Sequence, residues 1–382
     1  MKAIFRVFSF LVCAVLVIFW SAHPPAQPFG QTLGVLAAPG ANAAAQAGTF
    51  TTFDFPGSTS TVPVGINPAG AITGYYQGAG GRTHGFLRAP DGTFTKFDVP
   101  GSICTPALPV CTQPSGINPA GAITGFYQDA NFVSHGFLRA PDGTFTIFDA
   151  PGVRCRSLSP CTLPSGINPA GAITGHFIDA NGFHGFLRAP DGTITKFDHP
   201  GSKATQPTGI NPAGAVTGYF QGAGGRTHGF LRAPDGTFTK FDVLPSASCD
   251  PHFSVCTQPS GINSAGAITG TYQAANFVSR GFLRAPDGTI TKFDVPGSRG
   301  TRPAGINREG AIAGSYEGAG ATHGFLRAPD GTFTKFDVPG SICTPAFSIC
   351  AFPVGINPAG AITGYYQAQG AKFLIHGFLR SP

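Results

Sequence analysis

The sequence predicts an all-β fold, a seven-bladed β-propeller of four-stranded antiparallel blades, and three observations predict it. The triplet Gly-Ile-Asn occurs seven times, ending at Asn67, Asn118, Asn168, Asn211, Asn263, Asn307 and Asn357. Each recurrence opens a stretch with four short β-forming runs separated by turn residues, the mark of a repeat architecture. The patterned part also begins with a lone fourth strand and finishes with three strands that lack one.

Composition excludes the alternatives. Gly (55) and Pro (35) are abundant, as in low-complexity chains, but 42% of residues are hydrophobic and 35 are Phe, which disordered segments do not offer. Only 11% of residues are charged and the chain has just two Glu, Glu309 and Glu317. Solvated helices, coiled coils and charged tails are therefore out. The formal charge of +6 is too small and too dispersed for a nucleic-acid partner.

Taken in chain order, Lys2 and Arg6 precede an apolar run from Val7 to Trp20, the layout of a secretory signal. That run falls short of the roughly 20 residues that span a bilayer. Ala45-Gln46-Ala47 suits a cleavage site, so residues 1–47 read as a leader and 48–382 as the propeller; a cut after Ala22 and an uncleaved anchor stay open. The protein is expected to be secreted or held at a bacterial cell surface, with no membrane contact except through such an anchor.

Thr49 to Gly57 then reads as a fourth strand with no preceding three. The unit that follows runs from Thr61 to Ser102. Its first strand ends at Gly65-Ile66-Asn67, and Asn67-Pro68-Ala69-Gly70 is a tight turn, with Pro presetting φ. Ala71 to Tyr76 is the second strand, Gln77 to Thr83 a variable loop, and His84 to Arg88 the third strand. Pro90-Asp91-Gly92 turns the chain into a fourth strand, Thr93 to Asp98. Phe94 and Phe97 lie an odd number of residues apart and point to opposite faces, so both faces of the sheet must be covered. The chain ends with Ala361 to Tyr366 and His376 to Arg380, which await a fourth partner. A ring in which the N-terminal strand completes the last blade supplies it and hides both edges.

Successive asparagines are 51, 50, 43, 52, 44 and 50 residues apart, and the longer intervals contain cysteine loops. Cys104 and Cys111, Cys155 and Cys161, Cys249 and Cys256, and Cys343 and Cys350 are expected to pair as local disulfides in an oxidising compartment. Zinc is the competing reading, but this spacing lacks the C-x2–4-C form and any second half-site.

The unit resembles the extracellular HAF repeat of secreted bacterial proteins, named for a His-Ala-Phe signature. The matching residues are His84-Gly85-Phe86, His135-Gly136-Phe137, His184-Gly185-Phe186, His228-Gly229-Phe230, His323-Gly324-Phe325 and His376-Gly377-Phe378. Gly stands for Ala throughout, and the fifth unit has Arg280-Gly281-Phe282. The resemblance spans Thr49 to Arg380 and implies secretion and repeat architecture; it transfers no catalytic residue.

Little else carries chemistry. The repeated histidines are expected to satisfy backbone groups or the aspartates of the Phe-Asp element, and Arg88-type residues to pair with turn aspartates or solvate a rim. No metal site or cofactor is expected. Nucleophile elbows, phosphate loops and His-Glu-x-x-His are absent from the sequence. Only Asp129, Asp179, Asp250, Glu309 and Glu317 lie outside the repeated motifs, few for a paired-carboxylate enzyme.

Variation is concentrated instead in the second-to-third loops and blade crossovers, which share one face of the ring, while the opposite face is monotonous. Diversified loops on a rigid scaffold suit recognition. The varied face carries Arg82, Asp129, Asn131, Phe132, Asp179, Asn181, Arg226, Asn276, Phe277 and Lys372, and His176 replaces the tyrosine found at Tyr75, Tyr219 and Tyr365. The expected function is a monomeric binding or scaffold protein for an extracellular glycan or an envelope or matrix protein. A hydrolase or lyase with its site at the channel mouth, using His176, Asp179 and Asp129, is the rival reading; a purely structural repeat protein is the third.

Each bridge, closing a loop of about eight residues, constrains the unfolded chain by roughly 2.5 kcal/mol, yet all four are confined to crossovers. Thiol reduction is therefore expected to lower the melting temperature while leaving the far-UV sheet signal intact. Complete unfolding under mild reductant would show that the blades do not hold together by themselves.

Overall fold

The computed structural model describes residues 48–103, 111–153, 161–245, 256–273, 278–344, 348–368 and 374–382. The expected leader, residues 1–47, lies outside them. The described residues form seven antiparallel four-stranded sheets and no helix. Blade one consists of an inner strand Ser60–Ile66, a second strand Ile72–Gln77, a third Thr83–Arg88 and an outer Phe94–Phe97. Each inner strand touches the inner strands of both neighbouring blades, the seventh meeting the first. The molecule is a seven-bladed propeller.

In the last blade, Phe352–Ile356, Ile362–Gln367 and Ile375–Ser381 share a sheet with Thr49–Phe53 as outer strand. Thr49 lies opposite Ser381 and Phe53 opposite Gly377. One short addition departs from the plan. Ser348–Ile349 pairs in parallel with Ala321 and Thr322 on the third strand of blade six.

Each Gly-Ile-Asn asparagine is buried and has two tasks. Asn67 Oδ1 accepts from the Ala71 N–H at 2.9 Å, closing the first turn, where Gly70 takes the left-handed φ of +86°. Its Nδ2 donates to the carbonyl of Asn118 in the next blade at 3.3 Å. The same bond runs from Asn118 to Asn168, on to Asn211, Asn263, Asn307 and Asn357, and from Asn357 back to Asn67 at 3.2 Å. A closed circle of seven side chains thus joins the blades at the axis.

Further out, blades adhere through apolar clusters, one at each interface. Phe97 of blade one packs with Ile123, Tyr127 and Phe137 of blade two, while Phe94 turns the other way, toward Phe53 and Phe86. Both faces of the outer strand are covered, as its sequence requires. Phe86, Phe137, Phe186, Phe230, Phe282, Phe325 and Phe378 are fully buried, each contributing about 2–3 kcal/mol by leaving water. The glycine before this phenylalanine has a steric reason: a Cβ on Gly136 would lie 2.6 Å from the Phe148 ring.

The Arg88-type residues do not solvate a rim, and six of them, such as Arg88 with Asp91, interact electrostatically with the turn aspartate as expected. Their aromatic partners were not foreseen. Each guanidinium lies 4.9 to 5.2 Å from the ring of the preceding blade's outer phenylalanine, from Arg88 on Phe53 round to Arg380 on Phe336. A planar, weakly hydrated cation tolerates that site. The turn aspartate Asp91 uses its carboxylate to accept from the Thr93 N–H at 2.9 Å.

Replacing Asn211 with Ala removes an inter-blade donor and leaves the Ala215 N–H without its 2.9 Å partner. A stability loss of about 2–3 kcal/mol is expected in urea denaturation. A change under about 0.5 kcal/mol would show the asparagine circle to be incidental.

Candidate functional site

Antiparallel order places the first and third turns of every blade at one end of the ring, and the second-to-third loop and the crossover at the other. At the loop end six of the seven blades carry a histidine–aspartate pair. The histidine leaves the third strand beside the aspartate that ends the outer strand: His84 with Asp98, His135 with Asp149, His184 with Asp198, His228 with Asp242 and His323 with Asp337, all at 2.7–2.9 Å. In the last blade His376 meets Asp54 at 2.8 Å. Blade five preserves the link with Arg280 and Asp294. These are the Phe-Asp partners expected of the histidines. Each ring also packs against an aromatic residue of the second strand, as His84 does on Tyr76 at 5.3 Å.

The two loop acids extend these pairs. Asp129 Oδ1 accepts from the Asn131 and Val133 N–H groups, at 2.8 and 2.9 Å, and Oδ2 lies 3.6 Å from His135 Nε2. Burial by itself would raise this carboxyl, but the Val133 and Asn131 amides and the His135 ring outweigh it and hold the acid below its ordinary range. Asp179 repeats the design in blade three. It accepts from the Asn181 N–H at 2.6 Å, pairs with His184 Nε2 at 2.8 Å and holds Lys196 at 3.3 Å. Burial opposes its ionisation too, and the Asn181 amide, His184 and Lys196 overcome it. His135 and His184 are therefore each flanked by two carboxylates.

Asn131, Asn181 and Arg82 are exposed, and Phe132 is half-buried with a left-handed φ of +64°. Arg226 is half-buried at the end of its loop. Asn276, Phe277 and Lys372 lie outside the described residues. So do Cys104, Cys155 and Cys249; their expected partners Cys111, Cys161 and Cys256 are disulfide-bonded, and Cys343 is joined to Cys350.

His176 is a correction. It lies not on a displayed loop but buried in Ile173–Asp179, its ring 5.8 Å from Phe183 and neither nitrogen hydrogen-bonded. Burial pushes its pKa down to about 4. The grouping of His176, Asp179 and Asp129 needed by the enzyme reading does not form, because each acid is engaged within its own blade.

A feature absent from the sequence reading lies at the opposite end. A cavity of about 660 Å³ opens among the first turns of blades four to seven, lined by Pro212, Asn263, Ser264, Ala265, Ile306, Asn307, Arg308, Ile356 and Pro358. Ser264 and Arg308 stand where the other five blades have proline. The signal was visible as two irregular turns, but their convergence on one recess requires the closed ring. The lining holds amides, a hydroxyl and a guanidinium, with no carboxylate or imidazole.

No family model matches this sequence, and no curated protein matches it. Its fold is similar to solved propellers. A catalytically inactive virginiamycin B lyase from Staphylococcus aureus with quinupristin is 16% identical with a TM-score of 0.57, covering 88% of this chain and 99% of that one. A streptogramin B lyase is 18% identical, TM-score 0.55, covering 89% and 100%. A prolyl endopeptidase is 10% identical, TM-score 0.56, covering 81% of this chain and 47% of that one. At such identities the likeness concerns the fold alone.

Since His176 is held neutral by the fold, the unfolded chain takes up its proton first as pH drops below about 6.5. Stability is lost from there down to about pH 4. Phe126 occupies the same place in blade two, so His176→Phe is expected to fold. It should be more stable than the parent at pH 5, by up to about 2 kcal/mol, with that gain gone at pH 8. Parallel stability–pH curves would show that His176 is not the titrating group.

Proposed function

We propose that this chain is a secreted or cell-surface protein of the HAF-repeat type that binds an extracellular glycan or an envelope protein through the loop end of its ring. The observation that carries this reading is the division of labour among polar side chains. Those belonging to the repeat are committed to joining strands and blades, as in the asparagine circle, the histidine–aspartate pairs and the stacked arginines. Apart from Ser264 and Arg308 in the axial recess, residues departing from the repeat include those on loops such as 78–82 and 129–133, where Arg82 and Asn131 are exposed. Asp129 and Asp179 stiffen two of these loops from within, and preorganised loops lose less entropy on binding. Exposed amides and guanidinium groups next to aromatic rings suit sugar hydroxyls and the apolar faces of sugar rings.

A hydrolase or lyase is the weaker reading. One observation favours it, the cavity at the axial mouth, but proton transfer there needs a group that titrates near neutrality. The one charged side chain in the lining is the Arg308 guanidinium, and the lining has no carboxylate or imidazole. The cavity suits a small anion-bearing ligand better than a reaction.

Glycan-array binding by the parent protein, beside an Arg82→Ala, Phe132→Ala, Arg226→Ala triple variant, tests the proposal. The parent is expected to bind a defined glycan class, with a loss of about tenfold or more in the variant, equivalent to about 1.4 kcal/mol. No binding by the parent, or equal binding by both proteins, would move the function away from the loop end.

A further inference from the structure

The zinc reading of the cysteine loops failed on sequence for want of a second half-site. In blade six the tertiary structure brings one alongside. His323, Asp337, Cys343 and Cys350 each offer a ligand atom, and these atoms lie within 4.8 Å of one another. A tetrahedral Zn²⁺ with bonds of 2.0–2.3 Å needs ligands roughly 3.3–3.8 Å apart, a contraction of about 1 Å. We propose that, once the Cys343–Cys350 bond is reduced, these two thiolates, the His323 imidazole and the Asp337 carboxylate hold a zinc ion.

Two features of the fold prepare this site without the disulfide. Ser348–Ile349 pairs with Ala321 and Thr322, and the Cys350 N–H donates to the Thr322 carbonyl at 2.8 Å. The backbone of Cys350 is thereby anchored next to His323 by main-chain bonds. His323 Nε2–H donates to the Gly318 carbonyl at 3.1 Å, which directs Nδ1 to Asp337 at 2.8 Å. A ligating histidine commonly has its second nitrogen bonded to a carbonyl in this way, fixing tautomer and ring orientation. The ion would take the place of the proton between Nδ1 and the carboxylate.

The chemistry balances simply. A thiol or phosphine reductant supplies two electrons and is itself oxidised, the S–S bond breaks, and two protons complete the thiols. Zinc binding then releases those protons to solvent. Bond and ion compete for the same sulfurs, so the redox poise of the medium selects between them. Three other blades have the same residue types in the same order: His84, Asp98, Cys104 and Cys111; His135, Asp149, Cys155 and Cys161; His228, Asp242, Cys249 and Cys256. The one blade with Arg for His, at Arg280, has no cysteine loop.

Cobalt titration of the full-length protein under anaerobic phosphine reduction tests this. The reduced parent is expected to develop thiolate-to-cobalt charge-transfer and tetrahedral d–d bands, which zinc bleaches; the oxidised parent shows neither. His323→Arg copies the Arg280–Asp294 pair of blade five and so retains a link to Asp337 without a ligand. It should bind one equivalent of cobalt fewer than the parent, as should Cys350→Ser. Equal stoichiometry in parent and both variants would overturn the proposal, as would an absence of charge-transfer bands in the reduced parent. Loss of the far-UV sheet signal on reduction would overturn it as well, because the site presumes a folded ring.

Discussion

The circle of seven asparagines is the constraint on which the other features depend. Each side chain closes the first turn of its own blade and grips the backbone of the next, so intra-blade and inter-blade geometry are set by the same atoms. A shorter side chain could not reach both partners, and a charged one would be stranded in a buried site. With the inner strands held at that spacing, the outer phenylalanines reach the neighbouring sheet and the arginines stack above them. The core is accordingly seven interfaces of similar make rather than one central mass.

This economy bears directly on function. A chain with so few charges uses most of them in holding strands together, and what remains for a ligand is determined by where the repeat is broken. Loops 78–82 and 129–133 break it at one end of the ring; Ser264 and Arg308 break it at the other. The two ends have different chemistry. The loop end displays guanidinium, amide and aromatic groups over carboxylates already engaged with histidines. The axial recess is neutral apart from Arg308, which stands beside the buried amides of Asn263 and Asn307.

Much of the fold was legible in the order of residues. Seven Gly-Ile-Asn triplets, the turn residues after them and the opposed Phe94 and Phe97 all report on neighbours close in the chain, and such local signals survive in one dimension. The candidate site was less legible. His84 and Asp98 were readable as partners because they recur at a constant interval on adjacent strands. His176 was misplaced because its repeat position shows where the backbone goes, while burial against Phe183 depends on side-chain packing across strands. The stacking of Arg88 was missed for the same reason, its aromatic partner Phe53 lying in another blade.

Residue order by itself determined the strand periodicity, the turns, the number of units and the pairing of Cys343 with Cys350, because each rests on contacts close in the chain. Only the tertiary structure decided which polar groups cross between blades, that Ser264 and Arg308 share a recess, and that His323 and Asp337 stand beside Cys343 and Cys350. The first two relations arise from closing the ring; the third arises at blade six, where Ser348–Ile349 returns beside Ala321 and Thr322 and carries Cys350 next to His323.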